Sequence, residues 1–357
     1  MSLLPTTPEI VLIASPDGPI TAYDPYTGAV LARFSGSQCP RNGITVISNN
    51  QFACSHVSDT GVGYIHLYNW WSRSCVQSIH LPEPVAPLVA TNDGSYIFSG
   101  GVSGHIQSVL VPSGDLIRSV SAHEKPVSCI VISCDESLVI SGSDDGTIAI
   151  IPILLLLDVS LDPESGCSSF TRFTGHELSV TGLTTGMGVM ISSSLDWTCK
   201  VWNIVKGTHL QTVKFQGEMM CSVLDPSETQ LYAGGMDGTI YRKDLKVETR
   251  KQVASGGEVV VWGRKHDAAV VAMDMLNYGQ SLLTVSENGQ IHVWEAEGAT
   301  EVAEMEEAFK AAVEDRGRVT SNLESAIEIH KKLMELMLKE ANAIAEFEES
   351  IRKQMNI

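Results

Sequence analysis

Seven times along this chain a tight turn is followed by a short strand-like run in which apolar and polar residues alternate. That recurrence constrains the fold more than any other feature. The turn residues Gly18, Gly63, Gly104, Gly146, Trp197, Gly238 and Gly289 stand 45, 41, 42, 51, 41 and 51 residues apart. A four-stranded propeller blade takes roughly 40–45 residues, and a blade buries its faces only against neighbouring blades. The spacing therefore predicts an all-β chain of seven blades over residues 1–297. The two long intervals predict insertions at about 153–169 and about 246–264; the second is a charged segment followed by Gly256-Gly257 and the strand-like Glu258–Trp262.

The fullest copy runs from Thr174 to Ile204, opening with Gly175-His176 and closing with Val201-Trp202-Asn203, and Leu210–Phe215 supplies its outer strand. Within it Ser192, Asp196 and Trp202 stand at offsets 0, +4 and +10, with His176 upstream. The last copy repeats the offsets with Thr284, Asn288 and Trp294 and has His266 upstream. In the fourth copy His123, Ser141 and Asp145 match, but Ile151 holds the tryptophan position. Such a set can form a buried Asp–His–Ser/Thr–Trp hydrogen-bond chain of the WD40 type, satisfying polar groups that ring closure would otherwise strand.

Histidine, aspartate and serine together also invite a hydrolase reading. A nucleophile, however, needs its base within reach and an oxyanion site beside it. Here the set recurs at one structural place with members missing in some copies, which fits a structural role. No glycine-rich phosphate loop lies between a strand and a helix. The expectation is a protein with no catalytic, cofactor-binding or metal-ligating residues.

The formal net charge is −18, so the chain repels phosphodiester backbones, and direct nucleic-acid binding is not expected. The eight cysteines (Cys39, Cys54, Cys75, Cys129, Cys134, Cys167, Cys199 and Cys221) form no CxxC and no zinc-finger quartet. They read as small buried hydrophobes in a reducing compartment. The N-terminal stretch lacks a basic region and already alternates like a strand, unlike a signal peptide. The apolar run Ile148–Leu157 is about half the length a bilayer span needs and contains Pro152. A strand entering a buried helical turn is the better reading, and no membrane association is expected.

Ring closure shows a gap. The first blade begins at its second strand, Glu9–Ala14, and the seventh runs out after Trp294, one strand early. Either the closing blade is incomplete or Ser2–Ile10 helps to close it. Beyond it, residues 300–357 shift to Glu, Ala, Lys, Met and Leu at helical spacing. Leu323, His330, Met337, Ile344 and Ile351 stand seven residues apart, with Ile327, Met334 and Ala341 at the alternate heptad position, which predicts a coiled-coil arm. The arm either folds back on the propeller or projects as a dimerising or partner-binding helix. The second reading is preferred, because a closed propeller has no groove that needs so long a helix.

The run from Ile191 to Trp202, ISSSLDWTCKVW, resembles the ISSSxDxTCKVW stretch distinctive of a family of ribosome-maturation WD-repeat proteins, the root-initiation-defective type. Gly101–Ile106 in the third copy, SLVISGSDDGTIAI in the fourth and Leu231–Gly235 in the sixth are also similar. The resemblance implies a non-enzymatic subunit of a nuclear (nucleolar and nucleoplasmic) complex that matures the large ribosomal subunit. It implies a helical-repeat scaffold partner of the Rix1 type, an AAA ATPase working alongside, a role in removing the internal transcribed spacer from pre-rRNA, and a self-associating C-terminal helix. The chain departs from the family in its shorter stretch before the arm and in its missing closing strand, and it shows no basic nuclear-import cluster. The competing reading is a WD40 adaptor in another complex, such as a ubiquitin-ligase substrate receptor or a signalling scaffold.

Overall fold

Short alternating runs joined by turn residues fold into antiparallel hairpins, because each turn reverses the chain where its backbone conformation is cheapest. The computed structural model describes residues 9–15, 18–34, 39–48, 50–58, 60–160, 170–245, 259–264 and 266–296. The predicted arm, with Leu323, Ile327, Met334, Met337, Ile344 and Ile351, lies outside the described residues.

Seven sheets follow one another. Blade 1 holds β1 (Val11–Ser15), β2 (Gly18–Tyr23) and β3 (Val30–Phe34). Blade 2 holds β4 (Ile44–Ser48), β5 (Gln51–Val57), β6 (Gly63–Asn69) and β7 (Gln77–Leu81). Blade 3 holds β8 (Val85–Ala90), β9 (Tyr96–Gly101), β10 (His105–Leu110) and β11 (Asp115–Ser121). Blade 4 holds β12 (Val127–Ile132), β13 (Leu138–Ser143), β14 (Ile148–Pro152) and, after a short helix, β15 (Thr171–Phe173). Blade 5 holds β16 (Val180–Thr185), β17 (Val189–Ser194), β18 (Thr198–Asn203) and β19 (Thr208–Lys214). Blade 6 holds β20 (Met219–Leu224), β21 (Gln230–Gly235), β22 (Thr239–Asp244) and β23 (Val260–Arg264). Blade 7 holds β24 (Val270–Leu276), β25 (Ser281–Ser286) and β26 (Ile291–Glu295).

Two expectations are refined by this order. The segment 246–264 is not all insertion, because Val260–Arg264 pairs with β22 as the fourth strand of blade 6. Its run of β-branched and aromatic residues, Val260, Val261 and Trp262, suits a strand, and Trp262 is buried in the core between blades 6 and 7. The run Ile148–Leu157 is indeed a strand entering a helical turn, α1 (Ile153–Leu157), with Ile153, Leu155 and Leu156 buried. Five residues cannot hold a helix alone. Arg118 Nη1 donates to the carbonyls of Leu155 (2.8 Å) and Asp158 (2.7 Å), and Ser108 Oγ donates to Leu156 O (2.7 Å), so blade 3 caps the helix's open carbonyls. Among the described residues no helix is long and apolar enough to cross a membrane.

Apolar cores lie between successive blades, from blades 1 and 2 to blades 6 and 7. No such cluster joins blade 7 to blade 1 among the described residues, where both sheets have three strands. The connection between β3 and β4 instead reaches across the ring. Arg41 Nη2 donates to Met220 O in blade 6 (2.6 Å) and Val271 O in blade 7 (3.5 Å). Asn42 Nδ2 donates to Ser128 O in blade 4 (2.9 Å), and Asn42 O accepts from Leu88 N in blade 3 (3.0 Å). One short segment thus ties four blades that lie far from it in sequence.

The turns between second and third strands place a residue in the left-handed region: Gly104, Gly146, Gly238 and Gly289 at φ of 84, 80, 80 and 83°. In blade 5 Trp197 takes this conformation at 68°, which strains a residue bearing a Cβ. At Gly104 a Cβ would also stand 2.3 Å from the carbonyl oxygen of His123. Gly104→Ala should therefore destabilise the propeller by about 2 kcal/mol, read by urea denaturation, since strain and backbone clash add. An unchanged midpoint would show that the turn moves freely.

Candidate functional site

The hairpin register explains the offsets of the polar set. In blade 5, Ser192 lies opposite Lys200 and Met190 opposite Trp202, which makes Ser192 and Trp202 diagonal neighbours on adjacent strands. Trp202 Nε1 donates to Ser192 Oγ (2.9 Å), Ser192 Oγ meets His176 Nε2 (2.7 Å), and His176 Nδ1 meets Asp196 Oδ2 (2.7 Å). One proton assignment makes each group complementary: indole N–H to hydroxyl, hydroxyl O–H to Nε2, and Nδ1–H to carboxylate. Asp196 also accepts from the backbone N–H of Glu177 (3.1 Å) and Thr198 (3.1 Å), so it binds the inter-blade loop to its own turn.

Blade 4 runs its chain through an extra residue. His123 Nε2 meets Ser141 Oγ (2.8 Å), but its Nδ1 meets Thr147 Oγ1 (2.7 Å), and Thr147 Oγ1 donates to Asp145 Oδ1 (2.6 Å). Asp145 itself stands 3.7 Å from the imidazole. Blade 7 is shorter by one member. His266 Nε2 meets Thr284 Oγ1 (2.8 Å) and Trp294 Nε1 donates to the same oxygen (2.9 Å). Asn288 does not join: its Oδ1 accepts from Ser286 Oγ and from Gln290 N (3.2 Å), and His266 Nδ1 has no hydrogen-bond partner. A neutral amide held by its own turn has no charge to draw the imidazole, so the matching offset does not bring contact.

Sequence reasoning passed over two groups here. Thr147 and Thr198 each donate to the carboxylate two residues earlier, both at 2.6 Å, and the Asp-x-Thr spacing is the signal that marks them. In blade 3 Glu83 takes the loop position, accepting from Ser103 Oγ (2.7 Å), Ser103 N (2.8 Å) and Gln107 Nε2 (3.1 Å).

Burial holds the imidazoles neutral. Desolvation lowers His123 and His266 to about 4 and also lowers His176, against which the Asp196 bond pulls upward. The carboxyls of Asp145 and Asp196 are held below their ordinary value: burial is the largest influence and raises them, but the combined hydrogen bonds and facing imidazoles outweigh it. Ser141, Ser192 and Thr284 are completely buried, so no substrate carbonyl can approach their hydroxyls. This chemistry fastens loops to turns; it does not attack bonds. Among the described residues no group of three or more His, Cys, Asp or Glu could hold a metal ion, and the seven described cysteines are free thiols.

The family profile described as WD domain, G-beta repeat matches residues 114–151 and 167–203, which hold most of blades 4 and 5. Protein ROOT INITIATION DEFECTIVE 3 of Arabidopsis thaliana is 31% identical over 294 residues, covering 80% of this chain and 66% of that protein. WD repeat-containing protein 18 of Danio rerio is 27% identical over 305 residues, covering 81% and 68%. The pre-rRNA-processing protein crb3/ipi3 of Schizosaccharomyces pombe is 26% identical over 230 residues, covering 62% and 51%. The chain thus spans between 51% and 68% of the length of these relatives. A chain in a crystal structure of the mitotic checkpoint complex superposes with a TM-score of 0.65 at 15% identity, covering 81% of this chain and 88% of that one, a likeness of fold alone.

Proposed function

The chain belongs to the WD-repeat family that includes ROOT INITIATION DEFECTIVE 3 and the crb3/ipi3 pre-rRNA-processing protein, and from that premise we propose that it is a non-enzymatic scaffold subunit in maturation of the large ribosomal subunit. The carrying observation is similarity over 80% of the chain to the first of these, alongside relatives whose own name is pre-rRNA processing. The buried hydroxyls of the His-containing networks support a scaffold over a hydrolase. The net charge of −18 supports action through protein partners instead of direct contact with rRNA.

In this reading the propeller works in the nucleus with a helical-repeat scaffold of the Rix1 type and alongside an AAA ATPase, in pathways that remove the internal transcribed spacer. The arm brings two copies together through Leu323, Ile327, Met334, Met337, Ile344 and Ile351, whose heptad spacing supports the pairing.

Gradient sedimentation of the tagged chain from nuclear extract tests the reading. The expected result is co-migration with large-subunit precursors and a helical-repeat protein. Migration as a free species, or with ubiquitin-ligase subunits, would remove the ribosomal role while leaving the propeller intact. By light scattering on the purified chain, Leu323→Asp plus Ile344→Asp should halve the mass; an unchanged mass would end the dimer claim.

A further inference from the structure

Two adjoining depressions open on the face of the ring where the first and second strands of each blade are joined. The first, of about 520 Å³, lies at the ring axis, walled by the C-terminal ends of the innermost strands of blades 3 to 7, from Val89 and Ala90 round to Met273 and Asp274. The second, of about 370 Å³, runs outward between blades 4 and 5 over Leu138, Ile150, Pro152, Phe170 and Ile204. Ser133 and Cys134 line both, so the two form one continuous trough.

Its ends differ in chemistry. At the outer end Met187 is 92% exposed and Val205 85% exposed, so two apolar side chains stand in water beside an apolar floor. At the axial end lie the carboxylates of Asp274 and Glu136. Asp274 takes one hydrogen bond, from the N–H of Met275 (2.8 Å), and Glu136 takes one from the N–H of Asn92 (2.8 Å). No described lysine or arginine pairs with either carboxylate. Asp274 is exposed on β24, so its carboxylate is open to an incoming cation. On the same wall Ser222 is 93% buried, and its Oγ has no hydrogen-bond partner. The buried Ser222 hydroxyl is left without a partner in the chain alone, and the solvent-accessible carboxylates on the same wall make the recess negative.

We propose that this trough is a docking site for a short peptide segment of a partner protein. A lysine or arginine of the segment enters the axial recess against Asp274 and Glu136, and neighbouring apolar residues lie along the floor between blades 4 and 5. Charge selects this occupant. The recess repels acidic segments and nucleic-acid backbone, and the chain's own residues 300–357 carry more acidic than basic side chains. The inference stands on this face alone and does not depend on the ribosomal reading.

Cys134 supplies the probe, because it is shared by both depressions and is the only exposed thiol among the described residues, the others being buried or half-buried. The immobilised full-length chain would select from a random dodecapeptide library, and the rate of maleimide labelling at Cys134 would report occupancy. Enriched peptides should join a cationic residue to apolar neighbours and slow the labelling. Their affinity should fall roughly tenfold or more in Asp274→Asn, the loss of one charge-assisted contact. Met187→Ser, at a side chain almost wholly in water, should weaken them without moving the thermal midpoint. Absence of enrichment, enrichment of peptides without a cation, or affinity indifferent to Asp274→Asn would overturn the proposal. Faster labelling of Cys134 on removal of residues 300–357 would overturn it too, by making the arm the occupant.

Discussion

Trp202→Ala should lower the unfolding free energy by about 4 kcal/mol, the upper part of the range for truncating a buried aromatic residue. Trp202 is buried, stacks on Phe173 with ring centroids 5.0 Å apart, and meets the His209 edge at 5.1 Å. Its removal opens a cavity between blades 4 and 5, where it packs with Ile140, Ile148 and Met190. It also takes the indole donor from Ser192 Oγ. Trp202→Phe keeps most of the packing and loses only the hydrogen bond, so it should cost about 1–2 kcal/mol. Trp71→Ala, at a side chain 82% exposed, should change stability within about 0.5 kcal/mol. Equilibrium urea unfolding of the three variants decides the matter. Equal losses in the first two would mean that the hydrogen bond, not the packing, holds the blades.

The blades do not all solve closure in the same way, and the differences follow from single residues. Where Trp202 and Trp294 donate to the central hydroxyl, the network reaches from the inter-blade loop to the third strand. In blade 4 Ile151 fills the corresponding place with apolar volume and joins a core shared with α1, so Ser141 serves its histidine without an indole. Blade 3 has a carboxylate, Glu83, at the loop position, where it gathers donors from Ser103 and Gln107. A loop residue that bonds to the turn is the common requirement, and its chemistry varies.

This pattern also decides what can be read from the chain before folding. Four of the seven turns were legible because left-handed backbone selects glycine, at Gly104, Gly146, Gly238 and Gly289, and the strands because a period of two survives in most copies. Ser192, Asp196 and Trp202 were legible because a hairpin register converts fixed offsets into neighbours. Asn288 kept the offset but not the charge, and turned to its own loop. Arg41 had no pattern to reveal it, since its acceptors are backbone carbonyls 179 and 230 residues away. The trough was hidden for the same reason: its walls come from the ends of five blades, and no local stretch contains it.

Acidification from pH 7 to pH 5 should remove about 3 kcal/mol of stability. Burial lowers His123 and His266 from the ordinary value of 6.5 to about 4. Above pH 6.5 these imidazoles are neutral in both native and unfolded chains, and their contribution to stability is complete. As pH falls from 6.5 towards 4 the unfolded chain takes up protons that the native networks refuse, so stability is lost across that window and levels off below it. His176 acts in the same direction. Asp145 and Asp196, whose pKa values are depressed, contribute stability that is lost only at lower pH, as it falls below the ordinary carboxylate value towards theirs, so they leave this window unchanged. Urea midpoints measured at half-unit steps should therefore decline between pH 6.5 and 4. The double variant His123→Gln, His266→Gln should start from a lower midpoint and show a much flatter profile. A wild-type midpoint constant from pH 7 to 5 would mean that the native networks accept the proton, and that their hydrogen bonds do not depend on neutral imidazole.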